Sequence, residues 1–339
     1  MVLVIGATGI LGRTIVLELL KQGKAVRAAK RLHSDTEDVR KTFMQYDKNG
    51  EKFFSNIEWV DVNFDDLDSL RKAMDGVEEV YHCAAIVSFN PKNKKNMYHT
   101  NINGTKNILY ISSEKNVKKF LFVSSIAVLD GANEKGFLDE NSNYNSKLLH
   151  PYYTVSKHFS EMEVWRAGAE GMNVCIINPG IIIGSGNWGK SSGTMFSTLM
   201  KIKYTTQGVI GYVDVRDVAK IATELMNKNI FGERFILISE NKSYQEVSDF
   251  VRGKMNLKKA AVVSSSVLRA VGKLASLVSW AIPLLRAVNL ANINALITDG
   301  KVSNEKIKNL LDYDFIPVEE SLEYHLNHYL NHKEKLNEH

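Results

Sequence analysis

Tyr153 and Lys157, four positions apart, carry side chains that can exchange protons. Residues 153–169 have the spacing of an amphipathic helix, which puts the phenol and the ammonium on one helical face. A phenol ionises near pH ~10 in water, but a neighbouring ammonium stabilises the phenolate and lowers its pKa. Tyr153 is therefore a candidate proton donor and acceptor for a substrate oxygen.

A pair of hydroxyls, Ser124 and Ser125, ends an apolar run that is typical of a buried strand. In open α/β sheets, ligands bind beyond the carboxyl ends of the parallel strands. We therefore expect Ser125 to hydrogen-bond the same substrate oxygen as Tyr153.

A second candidate site follows the first apolar run, residues 2–5. There the chain reads Gly6-Ala7-Thr8-Gly9-Ile10-Leu11-Gly12 before a helical pattern begins. Glycines permit a tight turn and a close approach of the backbone, and a helix N-terminus attracts anions. This loop, between a first strand and a first helix, predicts a binding site for a dinucleotide pyrophosphate. Lys157 would then hold the cofactor ribose, and an oxidised nicotinamide would further stabilise the Tyr153 phenolate.

The second predicted strand ends in Arg27-Ala28-Ala29-Lys30-Arg31, where NAD-specific enzymes usually carry an acidic residue. Arg31, helped by Lys30 or Arg27, could instead bind a 2′-phosphate, which favours NADP over NAD. A solvated basic loop is the alternative interpretation. Asp61 either contacts the adenine amino group or caps the next helix.

Short β-branched runs alternate with helical stretches, which predicts an α/β fold. We expect a doubly wound parallel Rossmann sheet with a smaller, mostly helical C-terminal substrate lobe. The predicted strands are residues 2–5, 25–29, 57–60, 79–83, 119–124, 173–178 and 234–238, and the predicted helices are 11–21, 67–74, 100–115 and 153–169. Residues 33–55 are interpreted as an inserted loop or short helix. The predicted nucleotide-binding domain is 1–178 with 213–239, the lobe is 179–212 with 240–330, and 331–339 form a polar tail.

The composition is that of an ordinary globular protein, with 44% hydrophobic and 24% charged residues among 339. A net charge of +5 gives no support to a nucleic-acid partner. The two cysteines, Cys83 and Cys175, are interpreted as reduced core residues, and no secretory leader is recognised, so a cytoplasmic protein is expected. The apolar stretch 274–285 is too short for a transmembrane helix, which needs about 20 residues.

Eight motifs in order make the chain resemble an extended short-chain dehydrogenase/reductase of the NAD-dependent epimerase/dehydratase group. They are Gly6-x-x-Gly9-x-x-Gly12, Asp61-Val62, Ala84-Ala85, Asn101-x-x-Gly104-Thr105, Val123-Ser124-Ser125, Tyr153-x-x-x-Lys157, Asn178-Pro179-Gly180 and Val213-Asp214-Val215-x-Asp217-Val218-Ala219. The resemblance implies that Ser125, Tyr153 and Lys157 are catalytic and that Asn101 supports the site. It also implies a homodimer through the helices that begin near Thr100 and Tyr153.

The same resemblance implies which further residues bind the cofactor. Besides the glycine loop, Arg31, Tyr153 and Lys157, they are Asp61, Val62, Ala84, Ala85, Ser124, Asn178, Pro179, Gly180 and Ile181, the last four passing beside the nicotinamide.

Within this group the chain is more similar to dihydroflavonol-reductase-like and 3β-hydroxysteroid-dehydrogenase-like members than to sugar-nucleotide epimerases. One departure is Val128-Leu129-Asp130-Gly131, where sugar-nucleotide members usually show Val-Tyr-Gly. Residues 187–212 contain no arginine to bind a substrate diphosphate. Aromatic and apolar residues could instead line an apolar substrate cleft or belong to the core: Val87, Phe89, Tyr152, Trp188, Phe196 and Tyr204.

Three functions are compatible with these patterns. The leading hypothesis is an NADP-dependent reductase of a ketone or aldehyde, with Tyr153 as proton donor. A sugar-nucleotide epimerase or dehydratase that retains NAD is the second, and an NADP-sensing regulatory protein is the third. We expect the partner to be a small molecule.

Two C-terminal patterns leave alternatives open. An amphipathic stretch that begins at Ser264 carries Leu268, Val271, Leu274, Leu277 and Trp280. Its segment 267–288, with Arg269, Lys273 and Arg286, is either a lid over an apolar substrate or a peripheral membrane contact. His325, His328 and His332 have helical spacing, which fits a polar, solvated helix face or a metal site. No metal is predicted.

Overall fold

The computed structural model describes residues 1–189, 191–278 and 288–337. Its strands are β1 (Val2–Ile5), β2 (Val26–Lys30), β3 (Glu58–Asp61), β4 (Glu79–His82), β5 (Lys119–Val123), β6 (Val174–Pro179), β7 (Ile181–Ile183), β8 (Tyr204–Thr205), β9 (Val209–Asp214), β10 (Glu233–Leu237), β11 (Glu240–Ser243) and β12 (Ala261–Val262).

The helices alternate with these strands along most of the chain. They are α1 (Ile10–Lys21), α2 (Glu37–Tyr46), α3 (Gly50–Ser55), α4 (Leu67–Ala73), α5 (Lys94–Tyr98), α6 (Gly104–Glu114), α7 (Tyr152–Ala169), α8 (Met195–Lys201), α9 (Val215–Asn227), α10 (Tyr244–Lys254), α11 (Ser265–Val278), α12 (Leu290–Ile297), α13 (Glu305–Leu311) and α14 (Val318–Asn337).

The main sheet has seven parallel strands in the order β3-β2-β1-β4-β5-β6-β10. All seven predicted strands are present in it, each within one residue of its expected bounds. The order reverses between β1 and β4, and ligands bind at such a switch point in doubly wound sheets. The predicted Rossmann architecture is therefore confirmed.

Helices cover both faces of this sheet because each has one apolar stripe to bury. Helices α1 and α9 pack with Phe43 of α2 into the core on one face. Helices α4, α6 and α7 form the core on the other face with Phe120 and Phe122 of β5. Cys175 is buried in the first of these cores, and Cys83 is half-buried beside it.

A smaller sheet, β11-β9-β7, faces the C-terminal helices. Its residues Ile183 and Tyr212 share an apolar cluster with α8, α10 and α14, which confirms a C-terminal region that is largely helical. No described helix is long and apolar enough to cross a membrane.

Three segments differ from their predicted form. Residues 33–55 contain two helices, α2 and α3, because Phe43 and Val39 supply an apolar face that packs against the core. The predicted helix 100–115 begins with a π-helical turn, His99–Asn103, before α6. Helix α14 continues through the predicted polar tail as far as Asn337. Trp280, on the predicted amphipathic stripe, lies outside the described residues.

Candidate active site

The glycine loop connects β1 to α1 in a conformation that only glycine accommodates easily. Gly6 has φ +86°, and a Cβ there would lie 2.8 Å from the backbone of Ala84. A Cβ at Gly12 would lie 2.2 Å from the Gly6 carbonyl oxygen. Helix α1 begins after Gly9 with no side-chain cap and no acidic residue in its first turn. The free N–H groups and the helix dipole therefore fit a pyrophosphate.

A buried arginine, which the sequence analysis did not single out, holds this loop from behind. Arg13 is 1% exposed, pairs with Asp38 Oδ2 at 2.7 Å and donates to Thr42 Oγ1 at 2.7 Å. It also donates to the carbonyl oxygen of Thr8 at 2.5 Å. The inserted segment 33–55 thus stabilises the glycine loop, because Arg13 connects Asp38 and Thr42 of α2 to Thr8. In the sequence, the only sign of this contact was an arginine directly after Gly12.

The basic residues after β2 have different partners. Arg27 pairs with Glu58 and donates to the carbonyl oxygens of Ala73 and Asp75, so it is not available to a cofactor. Lys30 pairs with Asp61. The exposed Arg31 guanidinium makes no hydrogen bond or ion pair with the described residues.

Asp61 is not a helix cap. Helix α4 is capped instead by Asp66, whose side chain accepts hydrogen bonds from the backbone of Asp68 and Ser69. The capping interpretation of Asp61 was wrong because four further residues, 62–65, separate it from Asp66 at the helix start. Its neighbour Val62 is buried at the end of β3.

Tyr153 and Ser125 meet at the carboxyl edge of the main sheet. Ser125 follows β5 in an extended conformation, and Tyr153 lies in the first turn of α7. Burial raises the pKa of Tyr153, whereas a hydrogen bond with the Ser125 side chain lowers it, and burial prevails. The phenol is therefore protonated at neutral pH, which suits a proton donor.

Lys157 is buried one helical turn below Tyr153. Its ammonium donates to the carbonyl oxygen of Val123 at 2.6 Å and lies 4.2 Å from the centre of the Phe122 ring. Burial lowers the pKa of Lys157 to about 7, although Glu161 opposes this shift. The sequence spacing correctly predicted a shared helical face, with Lys157 close to the strand end that carries Ser125.

Glu161, another turn along α7, is a buried carboxylate that the sequence analysis missed. It accepts hydrogen bonds from Ser124 Oγ at 2.5 Å and from Asn178 Nδ2 at 3.1 Å, and it pairs with Arg234 of β10 at 3.1 Å. The Ser124 hydroxyl therefore points to Glu161. The sequence did contain a sign of this role, because Glu161 continues the four-residue spacing of Tyr153 and Lys157 and so lies on the same face of α7.

Asn101 lies in the π-helical turn and joins two neighbouring segments. Its Nδ2 donates to the carbonyl oxygen of Ile86 and to Ser156 Oγ, each at 2.9 Å, and its Oδ1 accepts from the Ile86 N–H at 2.8 Å. Widened helical turns occur often at functional sites. Asn101 thus fixes the segment after β4, which contains Ala84 and Ala85, against α7 of Tyr153.

The segment after β6 crosses the same edge. Asn178 is fully buried and donates to the Ser125 carbonyl oxygen at 3.1 Å, while its Oδ1 has no hydrogen-bond partner among the residues that the structure describes. Pro179 ends β6, and Ile181 begins β7. Gly180 lies so close to β9 that a Cβ would be 2.2 Å from the Gly211 carbonyl oxygen.

The candidate substrate residues divide into two groups. Phe89 and Val87 are 49% and 45% exposed, and the Phe89 ring lies 6.1 Å from that of Tyr153. Tyr152 packs against Tyr98 and Lys94.

Three aromatic candidates lie elsewhere. Trp188 and Phe196 pack against Tyr329 in the apolar cluster of the C-terminal lobe, and Tyr204 is exposed. Among the aromatic candidates, Phe89 is the one with a ring contact to Tyr153.

Two of the C-terminal histidines do not form a solvated helix face. His325 is fully buried, with Nε2 3.2 Å from Asp214 Oδ2 and Nδ1 2.7 Å from Ser185 Oγ. His328 Nδ1 lies 2.9 Å from the same Ser185 oxygen. The solvated interpretation was wrong because α14 docks against the loop after β7.

Comparison with known proteins agrees with this geometry. The family model of the NAD dependent epimerase/dehydratase family matches residues 2–236. A protein of Methylococcus capsulatus named sterol demethylase protein B is 28% identical over 70% of this chain and 70% of its own length. A putative dihydroflavonol 4-reductase of Synechocystis is 28% identical over 72% of this chain and 69% of its own length.

Solved structures share the fold along nearly the whole chain. The crystal structure of gox2253 has a TM-score of 0.82 at 23% identity and covers 98% of both chains. The UDP-glucose 4-epimerase of Thermotoga maritima has a TM-score of 0.75 at 18% identity, over 98% of this chain and 99% of its own. The chain therefore belongs to the NAD-dependent epimerase/dehydratase family and is an enzyme of the extended short-chain dehydrogenase/reductase type.

Proposed function

We propose that the protein is an NAD(P)-dependent oxidoreductase that interconverts a ketone or aldehyde of a fairly apolar small molecule and the corresponding alcohol. The observation that carries this proposal is the placement of Tyr153, in the first turn of α7, beside Ser125, after β5, at the carboxyl edge of the sheet. Two hydroxyls at that edge can bind a single substrate oxygen. The bound nicotinamide would supply or accept the hydride.

Each side chain of the site has a separate task in this reaction. Tyr153 donates its phenolic proton to the carbonyl oxygen during reduction and recovers one from the alcohol during oxidation. Ser125 donates a hydrogen bond that orients the same oxygen. Lys157 holds the ribose and, when charged, stabilises the phenolate. Asn101 is a positioning residue, because its contacts are with Ile86 and Ser156.

Arg31 supports a preference for NADP. Its exposed guanidinium has no partner among the described residues, whereas Arg27 and Lys30 are paired. A guanidinium binds phosphate with paired hydrogen bonds, and the pairing of Lys30 with Asp61 leaves Arg31 as the available cation after β2.

An apolar substrate fits the described residues better than a nucleotide sugar does. Phe89 is half-exposed beside Tyr153, and residues 187–212 contain no arginine to bind a diphosphate. Curated relatives with the names of dihydroflavonol 4-reductase and 3β-hydroxysteroid dehydrogenase are in keeping with this choice. The chain spans only 50% of the length of the Mycobacterium tuberculosis steroid dehydrogenase.

We also propose that the protein forms a homodimer through α6 and α7. Three large apolar side chains on these helices are about half exposed: Tyr110, Phe159 and Met162. Exposed apolar patches of this kind mark interaction surfaces. Light scattering that reports a monomer at the concentrations used for activity would contradict the dimer.

The activity is tested by measuring oxidation of NADPH and NADH with a panel of apolar ketones and aldehydes. We expect turnover with at least one of them, and we expect Tyr153→Phe to lower kcat by about 100-fold or more while cofactor still binds. Tyr110→Phe, on the outer face of α6, is the matched control and should retain activity. Cofactor binding without turnover across the panel, and no effect of Tyr153→Phe on any cellular phenotype, would favour a sensing protein.

A further inference from the structure

Helix α11 has an apolar surface wider than its packed face. On the packed side, Ala275 is 4% exposed, and a Cβ at Gly272 would lie 2.5 Å from Ile293 Cδ1 of α12. On the adjoining side, spaced by four and three positions, are Val267, Val271 and Leu274. Their exposures of 52%, 43% and 64% show that no described residue covers them. An apolar strip of this length on a surface helix indicates a binding face.

The sequence around this strip contains no acidic residue. There is no Asp or Glu between Asp249 and Asp299, whereas residues 250–298 contain seven Lys and Arg. The interval from Glu170 to Asp214 likewise has no acidic residue between its ends. Five exposed cations in these two intervals make no ion pair with the described residues: Lys201, Lys203, Lys258, Arg269 and Lys273. The positive charge of the chain is therefore concentrated in these two intervals, one of which contains α11.

We propose that the strip Val267, Val271 and Leu274 binds the surface of a lipid bilayer that contains anionic lipids. An interfacial helix buries its apolar side chains at the boundary between headgroups and acyl chains, while flanking cations contact lipid phosphates. Arg269 and Lys273 lie on the polar side of α11 and satisfy the second requirement. A second copy of this chain is a poorer occupant, because the intervals around the strip contain no acidic residue that could pair with Arg269 and Lys273.

The position of α11 gives this contact a consequence for the enzyme. Asn292 of α12, the helix on which α11 packs, donates a hydrogen bond of 2.9 Å to the carbonyl oxygen of Phe89. Phe89 in turn faces Tyr153. Through α12 and Phe89, a bilayer under α11 would therefore be connected to the site where an apolar substrate meets Tyr153. This consequence rests on the proposed function, whereas the lipid contact itself does not.

Sedimentation with vesicles tests the contact without any turnover. The full chain is mixed with phosphatidylcholine vesicles, with and without phosphatidylglycerol, at low and high salt. We expect sedimentation with the anionic vesicles that decreases as salt rises. Leu274→Glu should lower the partition coefficient about tenfold or more, since one exposed leucine is kept out of the membrane. Val271→Ser, the second variant, should also lower the partition coefficient, and it does so without adding a charge.

The matched control is Leu310→Glu, which replaces a leucine that is similarly exposed on α13, far along the chain from α11. It should sediment like the wild type. The inference is overturned if the wild type remains in the supernatant with anionic vesicles at low salt, or if Leu274→Glu and Val271→Ser sediment as the wild type does. A wild-type dimer that Leu274→Glu dissociates would assign the strip to a second copy and overturn it as well. A protein that binds vesicles but reduces no carbonyl would contradict only the proposed function.

Discussion

The Ser124 hydroxyl donates a hydrogen bond of 2.5 Å to Glu161 Oε2. The other carboxylate oxygen pairs with Arg234 at 3.1 Å, so β5, α7 and β10 are joined through one buried charge. Ser125 follows Ser124 directly, and Lys157 lies one turn before Glu161. The geometry of the proposed catalytic groups therefore depends on a carboxylate that does not itself reach the substrate.

Replacement of Glu161 should destabilise the protein. Glu161→Ala leaves the Arg234 guanidinium, 13% exposed, without its anionic partner. Loss of one member of a buried ion pair costs about 3–5 kcal/mol. Urea denaturation should show this decrease in the free energy of unfolding. Glu170→Ala is the control, since Glu170 is 61% exposed in its pair with Arg166 and should contribute less than about 1 kcal/mol. Equal losses in the two variants would contradict the role of Glu161.

The glycine loop should tolerate no methyl group at position 12. Gly12→Ala would place Cβ against the Gly6 carbonyl oxygen at the start of α1. We expect cofactor affinity to fall by about tenfold or more, because the loop must shift away from the phosphate. Fluorescence titration with NADPH measures the change. Gly253→Ala on α10 is the control, since a Cβ there meets no atom within 4 Å. Unchanged affinity in Gly12→Ala would contradict the assignment of the loop.

Arg31 should determine the choice between cofactors. Arg31→Ser should lower kcat/KM with NADPH by about 10- to 100-fold, the value of a charge-assisted hydrogen bond, and leave kcat/KM with NADH nearly unchanged. Lys48→Ser, which replaces an exposed cation on the inserted segment 33–55, is the control. Comparable kcat/KM values with both cofactors in the wild type would argue against an NADP preference.

Stability should decline in mildly acidic solution because of buried histidines. Burial lowers the pKa of His328 from 6.5 to about 4 and that of His82 from 6.5 to about 3. At these two sites the unfolded chain therefore binds more protons than the folded chain below pH 6.5. Their contribution to the free energy of unfolding is fully present above pH 6.5 and decreases as the pH falls toward 4. Burial raises the pKa of Asp217 to about 6, so this carboxyl group stabilises the folded chain as the pH falls from 6 to 3.8 and opposes the effect of the histidines. The pKa shifts of His82 and His328 together are larger than the shift of Asp217, so the net effect of acid is a loss of stability.

The surroundings of His328 allow a specific variant. His325 Nε2 must donate to the Asp214 carboxylate, so its Nδ1 accepts from Ser185, and His328 Nδ1 donates to the Ser185 oxygen. Burial alone would raise the pKa of Asp214, but hydrogen bonds from Arg216 and His325 hold it well below its usual range. His328→Asn keeps a hydrogen-bond donor to Ser185 but removes the titrating imidazole. Thermal denaturation should therefore show a smaller decrease in stability between pH 6.5 and 4 than in the wild type. His33→Asn, on the surface, should leave the slope unchanged, and equal slopes in all three proteins would refute this explanation.

Most of the sheet could be predicted from the sequence because its strands are short β-branched runs buried on both faces, such as β1 and β6. The same holds for Tyr153 and Lys157, whose spacing is a local property of one helix. The partners of Glu161 could not be predicted, because Arg234 is 73 residues away and meets it only through strand order. Arg13 was missed for the same reason, since Asp38 lies on an inserted segment whose helices pack only in the folded chain. His325 was misjudged because a polar side chain on a polar helix gives no sign of a buried acceptor.

The proposed reductase activity is tested by the transfer of deuterium from C4-labelled NADPH to the product. With a carbonyl substrate identified by the panel, we expect one deuterium on the new carbinol carbon and one NADP formed for each alcohol, and Tyr153→Phe should slow both by about 100-fold or more at equal protein concentration. If the substrate is converted while the cofactor remains bound and no net NADP accumulates, the protein is an epimerase or dehydratase and the proposed reductase activity is contradicted.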